Sequence, residues 1–237
     1  MIYVLSDIHG HESRFRSIMN QIQLTESDHL YALGDCIDRH PHGLEILKEL
    51  YYMPNVSVLM GNHEYMMLQA VTETRRYNPF MQLWLNNGAQ PTHDAWLRYT
   101  NEQRDEVIEI IRSLPVSIEV RVKDTEYLLV HGAPIGYKRI TDDPIESAVW
   151  TRIDRYARLP YAQTIIFGHT PTDYYQVGKP MRIFYGNKMI GIDCGCAYQD
   201  GGRLACLRLD DMKAFYSEDY SIPEEASDDL QWKKRNM

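Results

Sequence analysis

Five short apolar runs in this chain each end in a loop that delivers an oxygen or nitrogen donor of the metal-ligand type. They bring Asp7 and His9, then Asp35, then Asn62 and His63, then His131, then His169. A lone Asp or His after a strand is more often a turn residue or a satisfied histidine than a ligand. Five at equivalent places are hard to obtain by chance, and in open α/β sheets ligands collect in the crevice beyond the carboxyl ends of the strands. Carboxylate, imidazole and amide donors without thiolate suit manganese, iron or zinc rather than a soft-metal site.

The elements that must carry these loops are legible from periodicity. Residues 2–5 read as a strand, and Phe15, Ile18, Met19 and Ile22 follow on one face of a helix. Residues 30–33 form a second strand candidate, followed by a helix with Leu44, Leu47 and Leu50 on one side; residues 56–60 form a third, with a helical pattern from Glu64. This alternation implies an α/β architecture. Beyond Pro115 the pattern turns strand-rich: 116–122 pairs with 127–130 across Lys123-Asp124-Thr125, and 164–167 is another run. Residues 183–185 and 188–192 flank Gly186-Asn187 as a hairpin, and 204–209 with 213–216 make a final pair. Between the two regions, residues 72–113 are polar, carry Trp84 and Trp96, and read as helical pieces broken around Asn86-Asn87-Gly88 and Pro91. The expected organisation is one domain over 1–220 with a helical insertion at about 72–113, and a loosely held tail over 221–237.

Composition bounds the function classes. At 237 residues and 27.8 kDa, one sizeable core is possible, and a net charge of −8 argues against an extended nucleic-acid footprint. A small charged substrate stays possible, because bound metal ions can reverse the local field of an acidic protein. No apolar run approaches a membrane span, and the first residues lack the basic flank of a signal peptide. Cys36, Cys194, Cys196 and Cys206 show no CxxC pair, so a reducing cytoplasm is expected, with Cys194 and Cys196 read as buried residues near a strand end rather than a thiolate site.

The ordered motifs Asp7-Ile8-His9-Gly10, Gly34-Asp35-Cys36-Ile37-Asp38-Arg39, Gly61-Asn62-His63-Glu64, Val130-His131-Gly132 and Gly168-His169-Thr170 resemble the series of calcineurin-like metallophosphoesterases, the GDxxDR and GNHE forms resembling the phosphoprotein phosphatase branch. The resemblance implies a β-sandwich flanked by helices in an α/β/β/α arrangement. It implies two divalent metal ions per chain, manganese first among the candidates. The first would be held by Asp7, His9 and Asp35, the second by Asp35, Asn62, His131 and His169, with Asp35 bridging. Two such ions, about 3.5–4 Å apart, clamp a phosphoryl group and acidify a shared water. His63 would then protonate the leaving oxygen, with Asp38 orienting its ring. Arg39 would grip phosphoryl oxygens through its guanidinium fork. Arg152 is a second phosphate candidate, with a surface salt-bridge residue as the competing reading. His40 departs from the family's usual Gly after the arginine, and His11, His40 and His42 are read first as solvated loop residues. The implied substrates are phosphorylated Ser/Thr proteins or small phosphate esters, with dinucleoside polyphosphates or other nucleotides as the alternative. The aromatics and arginines of 72–113 either line one wall of a substrate groove or pack a small helical cap.

Overall fold

The computed structural model describes residues 1–176 and 181–218. The expected tail at 221–237 lies outside the described residues. Two five-stranded mixed sheets face each other. In the first, β1 (Ile2–Leu5), β2 (His29–Ala32) and β3 (Val56–Val58) run parallel, and β9 (Ala205–Arg208) and β10 (Lys213–Tyr216) extend it antiparallel in the order β10-β9-β1-β2-β3. The second sheet has the order β4-β5-β6-β8-β7, formed by β4 (Ser117–Val122), β5 (Thr125–Val130), β6 (Thr164–Phe167), β7 (Phe184–Gly186) and β8 (Met189–Gly191).

The central strands β1, β6 and β8 are buried on both faces, which is why their sequences are apolar runs rather than alternating ones, whereas β4 alternates. In β1, Val4 turns inward to pack with Leu129, Ile166, Ile190 and Leu207 between the sheets. Its neighbours Tyr3 and Leu5 face outward, into a cluster with the helices. In β6 the same alternation sends Ile166 between the sheets and Ile165 and Phe167 outward, against Tyr175 and Ile153.

Three helices follow the parallel strands of the first sheet: α1 (Glu12–Ile22), α2 (Gly43–Tyr52) and α3 (Asn62–Thr72). Phe15, Ile18 and Ile22 of α1 and Leu44, Leu47 and Leu50 of α2 are buried, as their spacing requires. The expected insertion is helical from Pro79 onward, as α4 (Pro79–Asn86), α5 (Gln90–Arg98) and α6 (Asn101–Ser113). Asn78 caps α4 and Pro79 opens it, while Thr100 and Gln103 form a reciprocal capping box on α6. Trp84, Ala95, Trp96, Val107 and Ile110 join these helices to the cluster under the first sheet. A further helix unforeseen from the sequence, α7 (Pro144–Trp150), is capped by Asp143, whose carboxylate accepts from Ile145 N. Its seven residues are too few to display a helical period.

The turns differ by one residue from expectation. The β7–β8 turn is Asn187-Lys188 rather than Gly186-Asn187, since Gly186 is paired with Met189 and Lys188 takes the left-handed conformation. The β4–β5 turn is likewise two residues, Lys123-Asp124, with Thr125 already paired to Val122.

One glycine is demanded by the crossing of two site loops. Gly34 has φ +93°, and a Cβ there would lie 2.4 Å from Gly61 N. Gly34→Ala should therefore destabilise the fold by at least ~2 kcal/mol, combining backbone strain with overlap against main chain that cannot rotate away. Urea unfolding of the purified variant checks this; an unchanged midpoint and slope would show that the loops can separate freely.

Candidate active site

The loops leaving β1, β2, β3 and β6 at their carboxyl ends converge on one polar cavity of about 380 Å³. Asp7, His9, Asp35, Asn62, His63 and His169 all line it. His131, from the end of β5, sits directly behind, with Nε2 3.3 Å from Asp35 Oδ1 and 3.0 Å from Asn62 Oδ1. Asn62 and His63 occupy the first turn of α3, and His63 N donates to Asp35 Oδ1 at 3.0 Å. The carboxylate thus lies at a helix N-terminus, where free N–H groups favour negative charge.

Three histidines are set in a common way. His9 Nδ1 donates to the Ile37 carbonyl at 3.1 Å, His131 Nδ1 to that of Leu33 at 2.8 Å, and His169 Nε2 to that of Trp150 at 3.2 Å. Each ring is thereby locked with its other nitrogen turned toward the donor cluster, where the neutral imidazole offers a lone pair, as metal-ligating histidines require. His169 Nδ1 then lies 2.8 Å from Asn62 Oδ1. Acceptors facing acceptors in this manner fit a cation between them. The atoms form two groups that could hold ions, His9–Asp35–His63 and Asp35–His131–His169, with Asp35 in both. Asp7 adds a carboxylate to the first, 4.0 Å from His9 Nε2.

His63 is set differently. Its Nδ1 donates to the buried Asp38 carboxylate at 2.6 Å, and its Nε2 lies 3.3 Å from Arg39 Nη2 and 3.8 Å from Asp35 Oδ2. A guanidinium beside Nε2 disfavours a metal ion at that nitrogen, so membership of His63 in the first group reflects proximity alone.

The calcineurin-like phosphoesterase family model matches residues 1–213. This chain belongs to the calcineurin-like metallophosphoesterases. The chain is 29% identical to serine/threonine-protein phosphatase 2 of Escherichia coli over 88% of its own length and 92% of that protein. It is 30% identical to a symmetrical bis(5'-nucleosyl)-tetraphosphatase of Acidovorax ebreus, over 55% of this chain and 43% of that one. A solved structure named provisionally as a diadenosine tetraphosphatase superposes with a TM-score of 0.63 at 17% identity, covering 93% of this chain and 94% of the other, which speaks to fold alone. The family binds divalent metal ions and hydrolyses phosphate esters. No helix among the described residues is long and apolar enough to cross a membrane.

The electrostatics of this metallophosphoesterase favour positive charge at the cavity floor. Burial pulls the His131 imidazole down, but Asp35, Asp7 and Glu64 outweigh it and push it up to about 10. Burial and the neighbouring His131 push His169 down to about 3. Burial alone would raise Asp35, yet His131, His63 and His9 hold it well below the usual carboxylate range. Burial lowers His63 too, but Asp35 and Asp38 overcome it and leave the imidazole above its ordinary value, ready to carry a proton.

Arg39 reaches the cavity from the loop after Asp35, and Arg152, exposed after α7, lines it as well. His11, His40 and His42 do not line it; the His11 and His40 rings pack 4.4 Å apart, and His42 Nε2 lies 3.5 Å from Glu12. His40 keeps the loop tight through its backbone, donating to the His9 and Asp38 carbonyls. Of residues 72–113, Asn87 lines the cavity, whereas Trp84 and Trp96 are buried and Arg104 is spent on the Trp96 and Leu97 carbonyls.

Three site residues escaped the sequence reading. Asp193 follows β8, lines the cavity and accepts from Gly195 N; burial, then Asp7, pushes its carboxyl well above the usual range. The signal was present, since Asp193 ends a sixth apolar run just as Asp35 ends the second. Trp84 has no such signal, and its contact with Asp38 spans 46 positions. Glu64, the last letter of the Gly61-Asn62-His63-Glu64 motif, has a specific physical role. Its fully buried carboxylate accepts from Asp35 N, Cys36 N, Ile37 N and Gly61 N at 2.8–3.3 Å. The adjoining residues Asp7, His9, Asp35, Asp38, Arg39 and His169 all have φ between +52° and +72°, a conformation that costs non-glycine residues of order 1 kcal/mol or more each.

Glu64→Gln should be costly for that reason. A carboxamide replaces one accepting oxygen by a donor and leaves two buried amides facing it, worth roughly 2–5 kcal/mol. Calorimetry should show a melting temperature lower by about 5–15 °C, and a variant that melts with the wild type would refute the clamp.

Proposed function

We propose that this metallophosphoesterase is a dinuclear phosphomonoesterase that acts on phosphoserine and phosphothreonine proteins. The observation that carries the reaction is the buried His63–Asp38 pair placed beside the carboxylate shared by both ligand groups. Asp7, His9 and Asp35 would hold one ion and Asp35, Asn62, His131 and His169 the other, with manganese the first candidate and iron or zinc the alternatives. Such ions supply Lewis-acid polarisation of the phosphoryl group and an acidified water. Asp38 holds the Nδ1 proton of His63, and His63 delivers the proton on Nε2 to the departing oxygen. Arg39 and Arg152 both line the cavity and would bind the non-bridging phosphoryl oxygens.

The likeness over nearly the whole of a serine/threonine phosphatase supports the phosphoprotein class. A second reading, hydrolysis of dinucleoside polyphosphates, draws on Tyr174 and Tyr198, which line the same cavity and remain 51% and 40% exposed. Such rings can stack nucleobases. The manganese-loaded enzyme assayed against phosphopeptides, dinucleoside tetraphosphates and aryl phosphates separates the two. A higher kcat/KM on phosphopeptides supports the first reading, and preference for the dinucleotide replaces it with the second.

The proton donor has its own test. His63→Ala should lower kcat by roughly 10²–10⁴-fold on phenyl phosphate, lose much less on para-nitrophenyl phosphate, and keep its metal content. Equal losses on both substrates would remove His63 from that role.

A further inference from the structure

One buried contact reaches the reacting end of the site from behind. Trp84, on α4, has no exposed surface, and its indole Nε1–H donates to Asp38 Oδ2 at 2.8 Å. The same oxygen accepts from His63 Nδ1 at 2.6 Å. Asp38 Oδ1 is also buried and has no hydrogen-bond partner among the described residues. The carboxylate is therefore oriented by two N–H groups on one oxygen, one from the catalytic histidine and one from the insertion. Donors to an ionised oxygen make the stronger class of hydrogen bond, so the second is a substantial share of the restraint.

The surrounding contacts point the same way. Asp38 N donates to Thr92 Oγ1 at 2.9 Å, and Arg39 N donates to the Gly88 carbonyl at 2.9 Å. Asp38 and Arg39 adopt φ of +72° and +65° in succession, a pairing that persists only where the surroundings over-determine it. Both amides of this strained pair, and one carboxylate oxygen, are thus held by the segment from α4 to α5. The insertion contributes Asn87 to the cavity lining but serves chiefly as the mount on which Asp38 and Arg39 are fixed.

We propose that Trp84 is a positioning residue for proton delivery: its indole N–H fixes the Asp38 carboxylate so that His63 Nε2 faces the leaving-group oxygen. The inference rests on the reading of His63 as the proton donor. Trp84 cannot touch substrate, so its influence passes through Asp38 and the His63 ring. Without the indole N–H, the carboxylate can rotate about its Cβ–Cγ bond, and the imidazole spends less time aimed at the departing oxygen. Packing by the indole is a separate contribution, shared with Ala95 and Trp96 in the same cluster, and must be held constant when the N–H is tested.

Two replacements do so. Trp84→Phe keeps an aromatic ring, and site-specific benzothienylalanine keeps the bicyclic outline with sulfur in place of N–H. Each is compared with wild type and with His63→Asn, all manganese-loaded, on phenyl and para-nitrophenyl phosphate. We expect kcat on phenyl phosphate to fall roughly tenfold in both Trp84 replacements, the usual cost of losing a partner that orients a site residue. On para-nitrophenyl phosphate kcat should stay within about twofold, because a good leaving group needs no proton. KM, metal content and melting temperature of the benzothienyl form should match wild type. Wild-type kcat on phenyl phosphate in the benzothienyl form, or equal losses on both substrates, overturns the proposal, while His63→Asn keeps its leaving-group dependence. If His63→Asn lacks that dependence, the proton-donor reading itself fails. Should Trp84→Phe not fold, the benzothienyl form decides alone.

Discussion

The site depends on one buried carboxylate that touches no substrate. Glu64 gathers four backbone N–H groups, from Gly61 on its own loop and from Asp35, Cys36 and Ile37 on the neighbouring one. These belong to two loops that leave adjacent parallel strands, β2 and β3. Buried amides without partners are costly, and without Glu64 this crossing would leave several of them. Because the acceptor is a single rigid carboxylate, satisfying the amides also fixes where Asp35 stands relative to Asn62 and His63. The placement of these side chains is in this sense a by-product of backbone hydrogen-bond satisfaction.

That constraint also explains how six site residues can sit in left-handed backbone. Asp7 N donates to the Gly34 carbonyl, His9 N to that of Asp35, Gly10 N to that of Cys36 and His40 N to that of His9. The loops after β1 and β2 are laced into one another, so strain in either is held by the other. The same crowding removes room for side chains: a Cβ on Gly61 would meet Asp35 Oδ1 at 2.2 Å, and one on Gly168 would meet Ser6 Oγ at 2.0 Å. The conformations that aim Asp7, His9 and Asp35 inward are therefore stabilised by their neighbours rather than by their own preferences.

Much of this was legible in the chain because strand ends announce themselves. Apolar runs located β1 and β6 to the residue, and the donors after them located the cavity. What escaped was whatever local pattern does not encode. The seven-residue α7 is too short to show a period, and the hairpin turn of β7 and β8 slid by one residue because Gly186 was used for pairing instead of turning. The aromatics of the insertion were visible, but whether they faced substrate or core was a tertiary question. For Trp84 it was resolved by a partner 46 positions away.

The distribution of charge orders what the cavity can bind. Asp7, Asp35, Asp38, Glu64 and Asp193 are all buried around it, in a chain of net charge −8. Against them stand Arg39 and Arg152 and whatever protons the histidines hold. Asp193 and Asp7 both sit above their ordinary range, with burial the largest cause and neighbouring carboxylates contributing; the excess of negative charge is thus already felt within the protein. A phosphate dianion entering such a place would meet that same repulsion, with two arginines insufficient to reverse it at the floor. His131 is pushed up to about 10 by Asp35 and Asp7 against the opposing effect of burial, which marks the spot where positive charge is most favoured. Divalent cations, if held by the same donors as proposed, would supply more charge at that spot than one imidazolium does. They would also turn a surface that repels anions into one that focuses them. Cation binding and phosphate binding are for this reason coupled by electrostatics, whatever lies beyond the phosphoryl group in the substrate.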